Sequence, residues 1–360
     1  MLDKILIYSL LIFQGQLYAQ SLNKLNFEDP VTHIMNAEDY KVLLVGETHG
    51  VDINSQLQFN FLSSLHRKYK VNKLILELPV SYTIPLNKYL HDGDSSILEV
   101  ILFDPEGSSV STREYFEFFK KLYQYNKKTN KNKIEILCID IEQKPAMTCL
   151  NVLNALKPYI SQAEELTYLK QELLEALSID KEEQYEVYAK TLFNHFKLND
   201  LFFDKEFARR DFEYIGNALY NFDQTFLKQR DELLFNNFHH WLSSRPNEAK
   251  FFGQLGAVHT IKDNSSISKM TQNLRKSKIH NKKVKVCTIM LLYHNCSKIG
   301  YEGKYSMGLV EPEIFEFLVD ENNEDLSITS YLKQDKSLRK LKKKFDYLVL
   351  IKNRGPMHSL

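Results

Sequence analysis

Residues 41–50 read KVLLVGETHG: an apolar run from Val42 to Val45 breaks off at Gly46, and Glu47 and His49 follow two positions apart. A short apolar run closed by glycine has the character of a strand buried on both faces, the kind that builds parallel sheets. Residues two apart in extended chain share a side. The spacing therefore predicts a carboxylate and an imidazole pointing together from the carboxyl end of a buried strand. Gly46 and Gly50 leave the backbone free to turn tightly around that end.

Five more runs share this character: KLILELP at 73–79, IEILCIDIE at 134–142, KFFGQLGAVH at 250–259, VKVCTIMLLY at 284–293 and DYLVLIK at 346–352. Helical patterns separate the early ones. INSQLQFNFLSSLHRKYK puts Leu57, Phe61, Leu62 and Leu65 on one face. STREYFEFFKKLYQYNKK opens with Ser111 or Thr112 as a cap and continues with the stripe Phe116, Phe119, Leu122 and Tyr123. Strand alternating with helix predicts an α/β fold, a mainly parallel central sheet flanked by helices. Residues of about 146–245 show no strand pattern but several amphipathic helices, which predicts a large helical insertion in one domain covering 21–360. The polar segment 318–337 reads as loop.

Formal net charge is only +1 over 360 residues, so no bulk field draws the chain to nucleic acid or to a membrane surface. The basic runs from Lys127, Arg275 and Arg339 read as solvated faces, with no nucleic-acid partner. Residues 1–20 combine Lys4, the apolar run Ile5 to Phe13 and the small Ala19, the pattern of a secretory signal. The run is too short to serve as a membrane anchor, and a secreted or periplasmic location is expected. Export permits disulfides. Cys138 and Cys287, however, sit in apolar strand runs as buried thiols, no C-x-x-C occurs, and one bridge among these and Cys149 and Cys296 stays open. Oligomeric state is not legible.

In an open parallel sheet, ligands bind beyond the carboxyl ends of the strands. Glu47, His49, Glu77, Asp140, Glu142 and His259 all fall at such ends. Glu77 lies between Leu76 and Leu78, and Asp140 between Ile139 and Ile141, where an unpaired charge is costly. The chain has no G-x-S-x-G elbow, no H-E-x-x-H helix and no G-x-x-x-x-G-K-[ST] loop.

GETHG after an apolar strand, followed by LILELP, resembles the opening of the erythromycin esterase family. That family belongs to a wider superfamily with the TIKI metalloproteases and the ChaN-like haem-binding proteins. REYFEFFKKLYQYN leading to IEILCIDIE, and RDELLFNNFHHWLSSRPNEAKFFGQLGAVHT, are similar to later family segments, so the resemblance runs from about Lys41 to Thr260 and more weakly beyond. It implies a hydrolase in which water attacks a small-molecule ester with no required cofactor. His49 would be the general base, and Glu47 and Glu77 its carboxylate neighbours. His259, with Arg113 or Arg230, would stabilise the oxyanion or protonate the leaving group, while Asp140 and Glu142 would contact substrate. Two departures stand out: Gly256 occupies the first position of the family's H-N-x-H, and the helix after the first motif has no arginine before Arg67. Two other readings use the same groups. In one, Glu47, His49 and His259, with Glu77 or Asp140, hold zinc or manganese in a TIKI-like peptidase. In the other, the cleft binds haem or another ligand without catalysis.

Overall fold

The apolar runs assemble around the segment that opens the sequence. In the computed structural model, which describes residues 22–103, 110–129, 131–159, 164–179, 184–199, 208–264, 266–307, 312–320, 324–330 and 343–360, the expected signal at 1–20 lies outside the described residues. The strands are β1 (Leu22–Lys24), β2 (Val42–Glu47), β3 (Lys73–Pro79), β4 (Glu135–Asp140), β5 (Phe251–Gly256), β6 (Lys278–Ile279), β7 (Lys282–Lys283), β8 (Val286–Cys296), β9 (Tyr305–Met307), β10 (Leu326–Ser330) and β11 (Tyr347–Lys352). The helices are α1 (Asn54–Tyr69), α2 (Thr83–Asp92), α3 (Ser95–Leu102), α4 (Arg113–Lys128), α5 (Pro145–Leu156), α6 (Glu164–Leu177), α7 (Tyr185–Leu198), α8 (Arg209–Thr225), α9 (Arg230–Ser244), α10 (Met270–Lys276) and α11 (Pro312–Asp320).

A nine-stranded sheet has the order β1-β10-β11-β8-β2-β5-β3-β4, with β9 paired to β8. From β11 to β4 every neighbouring pair is parallel. These parallel strands are the apolar runs picked out in the sequence. The chain order changes direction around β2, which has β5 on one side and β8 on the other. That is the switch point where open α/β sheets place their ligands.

Beyond β11 the sheet differs from expectation. β10 and β1 extend it antiparallel, and β10 comes from the polar segment expected to be loop. The strand carries only Leu326 and Ile328 as alternating apolar residues, too few to stand out in sequence. What makes it a strand is the open edge of β11, against which Ile328 becomes buried.

Period-two alternation divides β2 between two apolar layers. Leu43 and Val45 pack with Leu57, Phe61 and Leu65 of α1 and Phe119 and Leu122 of α4. Val42 and Leu44 pack with Phe238, Trp241 and Leu242 of α9. In α4, Thr112 is the cap, accepting from the Tyr115 N–H at 3.3 Å. The buried face of α4 runs through Tyr115, Phe118, Phe119 and Leu122, rotated from the expected stripe, because aromatic residues occupy both flanks of the seam.

Between β4 and β5 the described residues form α5 to α9. α5 to α8 enclose an apolar cluster of their own, including Leu156, Leu169, Leu192 and Phe222. α9 instead lies on the sheet, antiparallel to β4. Trp241 Nε1 donates to the Cys138 carbonyl at 2.9 Å and Asn237 Nδ2 to the Ile139 carbonyl at 2.9 Å. Arg245 then meets Glu135 at the start of β4 at 2.8 Å, and Arg230 meets Asp140 at its end at 2.7 Å. All four cysteines are buried free thiols. No helix among the described residues is long and apolar enough to cross a membrane.

Candidate active site

The carboxyl ends of β2, β3, β4 and β5 open into a cleft of about 570 Å³. Glu47 ends β2 with its carboxylate buried, and the next turn folds His49 back onto it. His49 Nδ1 donates to Glu47 Oε1 at 2.7 Å. The other Glu47 oxygen accepts from Gln254 Nε2, which also donates to the Asn54 carbonyl at 2.9 Å. Asn54 in turn donates to the Thr48 carbonyl at 2.7 Å and accepts from the Tyr293 hydroxyl at 2.9 Å. The dyad is thus clamped from β5, α1 and β8. An ionised carboxylate can only accept, so the Nδ1 proton is fixed and Nε2 is left facing the cleft. The His49 side chain is 41% exposed, and that exposure is into the cleft.

Burial opposes charge on His49, but the hydrogen bond to Glu47 and the negative charges of Glu47 and Glu77 prevail and lift the imidazole to about 9. Glu77 lies across the cleft, with Oε2 3.9 Å from His49 Nε2. Its own burial is also opposed. A hydrogen bond from His259, the charges of His259 and His49, and the Gly256 N–H at 2.7 Å bring its carboxyl down to about 2.

The cation nearest the carboxylates of the site is Arg230. It reaches Glu77 at 2.8 Å, and its Nε and Nη2 grip both oxygens of Asp140 at 2.8 and 2.7 Å. Asp140 raises the guanidinium pKa most, followed by Glu77 against the cost of burial, so its charge is permanent. His259 follows β5 in a short 3-10 turn, with Nε2 3.3 Å from Glu77 Oε1. Tyr115 of α4 lines the same cleft; burial and the charges of Glu47 and Glu77 push its phenol up, so it stays neutral. Tyr82, Ile101, Leu102, Phe103 and Val110 form an apolar wall, and Lys144 and Lys298 also line the cleft. Among the described residues no group of three or more His, Cys, Asp or Glu is arranged to hold a metal.

The structure brings Glu47, His49, Glu77, Asp140, Arg230 and His259 to one cleft. It places Arg113 and Glu142 elsewhere. Arg113 is the exposed first residue of α4, and its N–H donates to the His358 carbonyl at 2.8 Å. The start of α4 docks on the carboxyl-terminal segment rather than on the sheet edge. Glu142 is buried behind the cleft and accepts from Ser81 N, Ser81 Oγ, Thr148 Oγ1 and Asn221 Nδ2 at 2.7–3.1 Å. With its oxygens engaged this way it ties the chain after β3 to α5 and α8, and it has no face for a substrate. Sequence reasoning missed Tyr115 and Gln254. Gln254 carries the signal that flagged Glu77, a polar residue inside an apolar strand run; Tyr115 is one aromatic among many.

Gly256 explains one of the departures. A Cβ there would sit 3.2 Å from His49 Nε2, 3.3 Å from Glu77 Oε2 and 3.5 Å from His259 Cδ2. Glycine leaves the centre of the site open, and a histidine side chain has no room there in this arrangement. Gly256→Ala is expected to keep the fold and to shift these groups by a few tenths of an ångström, costing about tenfold in kcat/KM for any reaction the cleft performs. Unchanged kinetics with a normal melting temperature would show that these contacts are not critical.

No protein-family model matches the chain, and no curated protein matches it. Solved structures do. A Bacillus cereus protein is 16% identical over 96% of this chain and 98% of its own, with a TM-score of 0.70. A succinoglycan biosynthesis protein is 14% identical over 95% and 97%, at 0.64. The erythromycin esterase EreC, as a histidine-to-asparagine variant in its open conformation, is 14% identical over 88% and 91%, at 0.62. At such identities the likeness is one of fold: this chain has the mixed α/β fold, with a central mostly parallel sheet flanked by helices, that these proteins share.

Proposed function

We propose that this protein is an exported hydrolase of the erythromycin esterase-like superfamily that cleaves a small-molecule ester with water and requires no metal. The observation that carries this reading is His49, its Nδ1 held by Glu47 at 2.7 Å and its Nε2 open to a deep, mixed polar and apolar cleft. That is the arrangement of an oriented general base. The fold shared with an esterase agrees with it.

In this mechanism a water at His49 Nε2 gives up a proton as its oxygen bonds to the ester carbonyl carbon. Glu47 stabilises the imidazolium that forms. The developing oxyanion is met by the cationic side of the cleft, with Arg230 fixed in place by Asp140 and Glu77. The carbon–oxygen bond to the alcohol breaks and the alkoxide takes a proton from His259 Nε2; His49 then returns its proton to solvent and His259 takes one up from solvent, which restores both rings. The apolar wall from Tyr82 to Val110 favours substrates with a hydrocarbon part. The donor set does not suit a metal. Glu47 is engaged by His49 and Gln254, and Glu77 by Arg230 and Gly256, so the guanidinium supplies the positive charge that a divalent ion would otherwise bring.

The test is turnover of a panel of neutral and charged esters by purified protein, with and without chelator. Chelator-insensitive hydrolysis is expected; complete loss with chelator, restored by zinc or manganese, would favour the metal reading. The pH profile is a further prediction. Only neutral His49 accepts a proton, and its pKa is lifted to about 9. On a nitrophenyl ester, whose leaving group needs no acid, the rate should therefore climb about tenfold per pH unit from neutrality and level off near pH 9. A plateau already reached at pH 7 would remove His49 as the base.

A further inference from the structure

His259 is held by a chain of groups that the mechanism above does not use. Its Nδ1 lies 2.9 Å from Ser268 Oγ, and Ser268 Oγ donates to Asp231 Oδ1. The other Asp231 oxygen accepts from the Lys269 N–H at 2.8 Å. Met270 N–H also points at Ser268 Oγ, at 3.4 Å. A hydroxyl has one proton and two lone pairs. Asp231 takes the proton of Ser268, and Met270 N–H takes one lone pair. The lone pair that remains faces Nδ1, so Nδ1 must be the donor. The backbone that carries the ring is held by Thr271 Oγ1, which donates to the His259 main-chain carbonyl at 2.6 Å. His259 and Ser268 are both buried, so water does not compete for these positions.

We propose that Asp231 and Ser268 are positioning residues that fix a proton on His259 Nδ1, so that Nε2 alone exchanges protons and His259 acts as the general acid. This rests on the ester-hydrolase reading of the cleft. The proton balance follows from the chain. The doubly protonated ring gives its Nε2 proton to the departing alkoxide, and what remains is the Nδ1–H tautomer that Ser268 already accepts from. The chain reaches Glu77 as well, since His259 Nε2 lies 3.3 Å from Glu77 Oε1. Asp231 follows Arg230 directly, so the first turn of α9 delivers both the guanidinium that grips Glu77 and Asp140 and the anchor of the acid.

The experiment has two arms on the full chain. In the first, long-range proton–nitrogen NMR of histidine-labelled protein, with His259 assigned by its loss in His259→Gln, reads the ring directly. The wild type and Ser268→Thr are expected to carry the fixed proton on Nδ1, and Ser268→Ala a mixture of tautomers. Asp231→Asn should reverse the chain. Its amide oxygen stays with Lys269 N–H, its amide nitrogen donates to Ser268, and Ser268 then donates to Nδ1, moving the proton to Nε2. A neutral wild-type ring protonated on Nε2, or spectra unmoved by Ser268→Ala and Asp231→Asn, would overturn the proposal whether or not any ester is turned over.

In the second arm, Ser268→Ala and Asp231→Asn are assayed on an alkyl ester and on the 4-nitrophenyl ester of the same acid. A good leaving group needs no acid, so a loss of about 10- to 100-fold on the alkyl ester with little change on the nitrophenyl ester is expected. Equal losses on both would reduce the pair to a structural role. Failure of the wild type on every ester would count against the hydrolase reading alone and leave the first arm to decide the tautomer.

Discussion

Replacing His49 with alanine is expected to lower kcat for ester hydrolysis by about 10²–10⁴-fold, the usual contribution of an oriented general base. The fold should survive, because β2 is fixed by Val42 to Val45 and the His49 side chain reaches into the cleft rather than the core. A companion variant separates chemistry from architecture. Glu47→Gln keeps an acceptor for Nδ1 but removes the negative charge that does much to raise His49 to about 9. The acid limb of the pH–rate profile should then move down towards the ordinary histidine value of about 6.5, with a lower plateau, because the imidazolium has lost its counter-charge. His49→Ala retaining full turnover, or a Glu47→Gln profile with its limb still near 9, would break the assignment of the base.

The largest expected effect on stability lies at Glu142, outside the cleft. Glu142→Leu would leave Ser81 N, Ser81 Oγ, Thr148 Oγ1 and Asn221 Nδ2 without their acceptor in a site that water does not reach. Orphaned buried donors cost about 1–3 kcal/mol each, less what the hydroxyls recover by rotating, so a net loss of about 3–5 kcal/mol is expected in urea unfolding. Glu142→Gln should cost less, about 1–2 kcal/mol, because the amide oxygen still accepts and no charge has to be buried. Burial already pushes the Glu142 carboxyl up against the pull of its hydrogen-bond donors. Equal stability of the wild type and Glu142→Leu would mean that α5 and α8 are held to the sheet by apolar packing alone.

The contrast between Glu77 and Glu142 shows how far a buried carboxylate can be interpreted from sequence. Both stand at strand ends in apolar surroundings, and both signal that something must compensate the charge. At Glu77 the partners are His259, His49 and Arg230, which face a cleft. At Glu142 they are hydroxyls and an amide of the surrounding helices, which close over it. Nothing in the residues directly next to either glutamate distinguishes these outcomes, because apart from Thr148, 6 positions from Glu142, and His49, 28 positions from Glu77, the partners come from 61 to 182 positions away. Arg113 and Arg230 divide in the same way. Each opens a helix, but only α9 lies antiparallel on β4, and that direction carries Arg230 to Asp140.

Local chemistry alone determined the parallel core. Short apolar runs closed by glycine, proline or an acid and separated by helical patterns read as doubly buried strands; Glu47, Glu77 and Asp140 lie at or near their ends, and His49 and His259 in the turns that follow. KVLLVGETHG held that information in ten residues. The tertiary structure decided what local patterns do not encode: that the weak run Leu326–Ser330 completes the sheet, that Gly256 leaves the centre of the cleft open, and that Asp231 and Ser268 stand behind His259. The physical reason is the same throughout. A strand's burial is a property of its own side chains, whereas a proton's position depends on which distant groups the fold brings within about 3 Å of it.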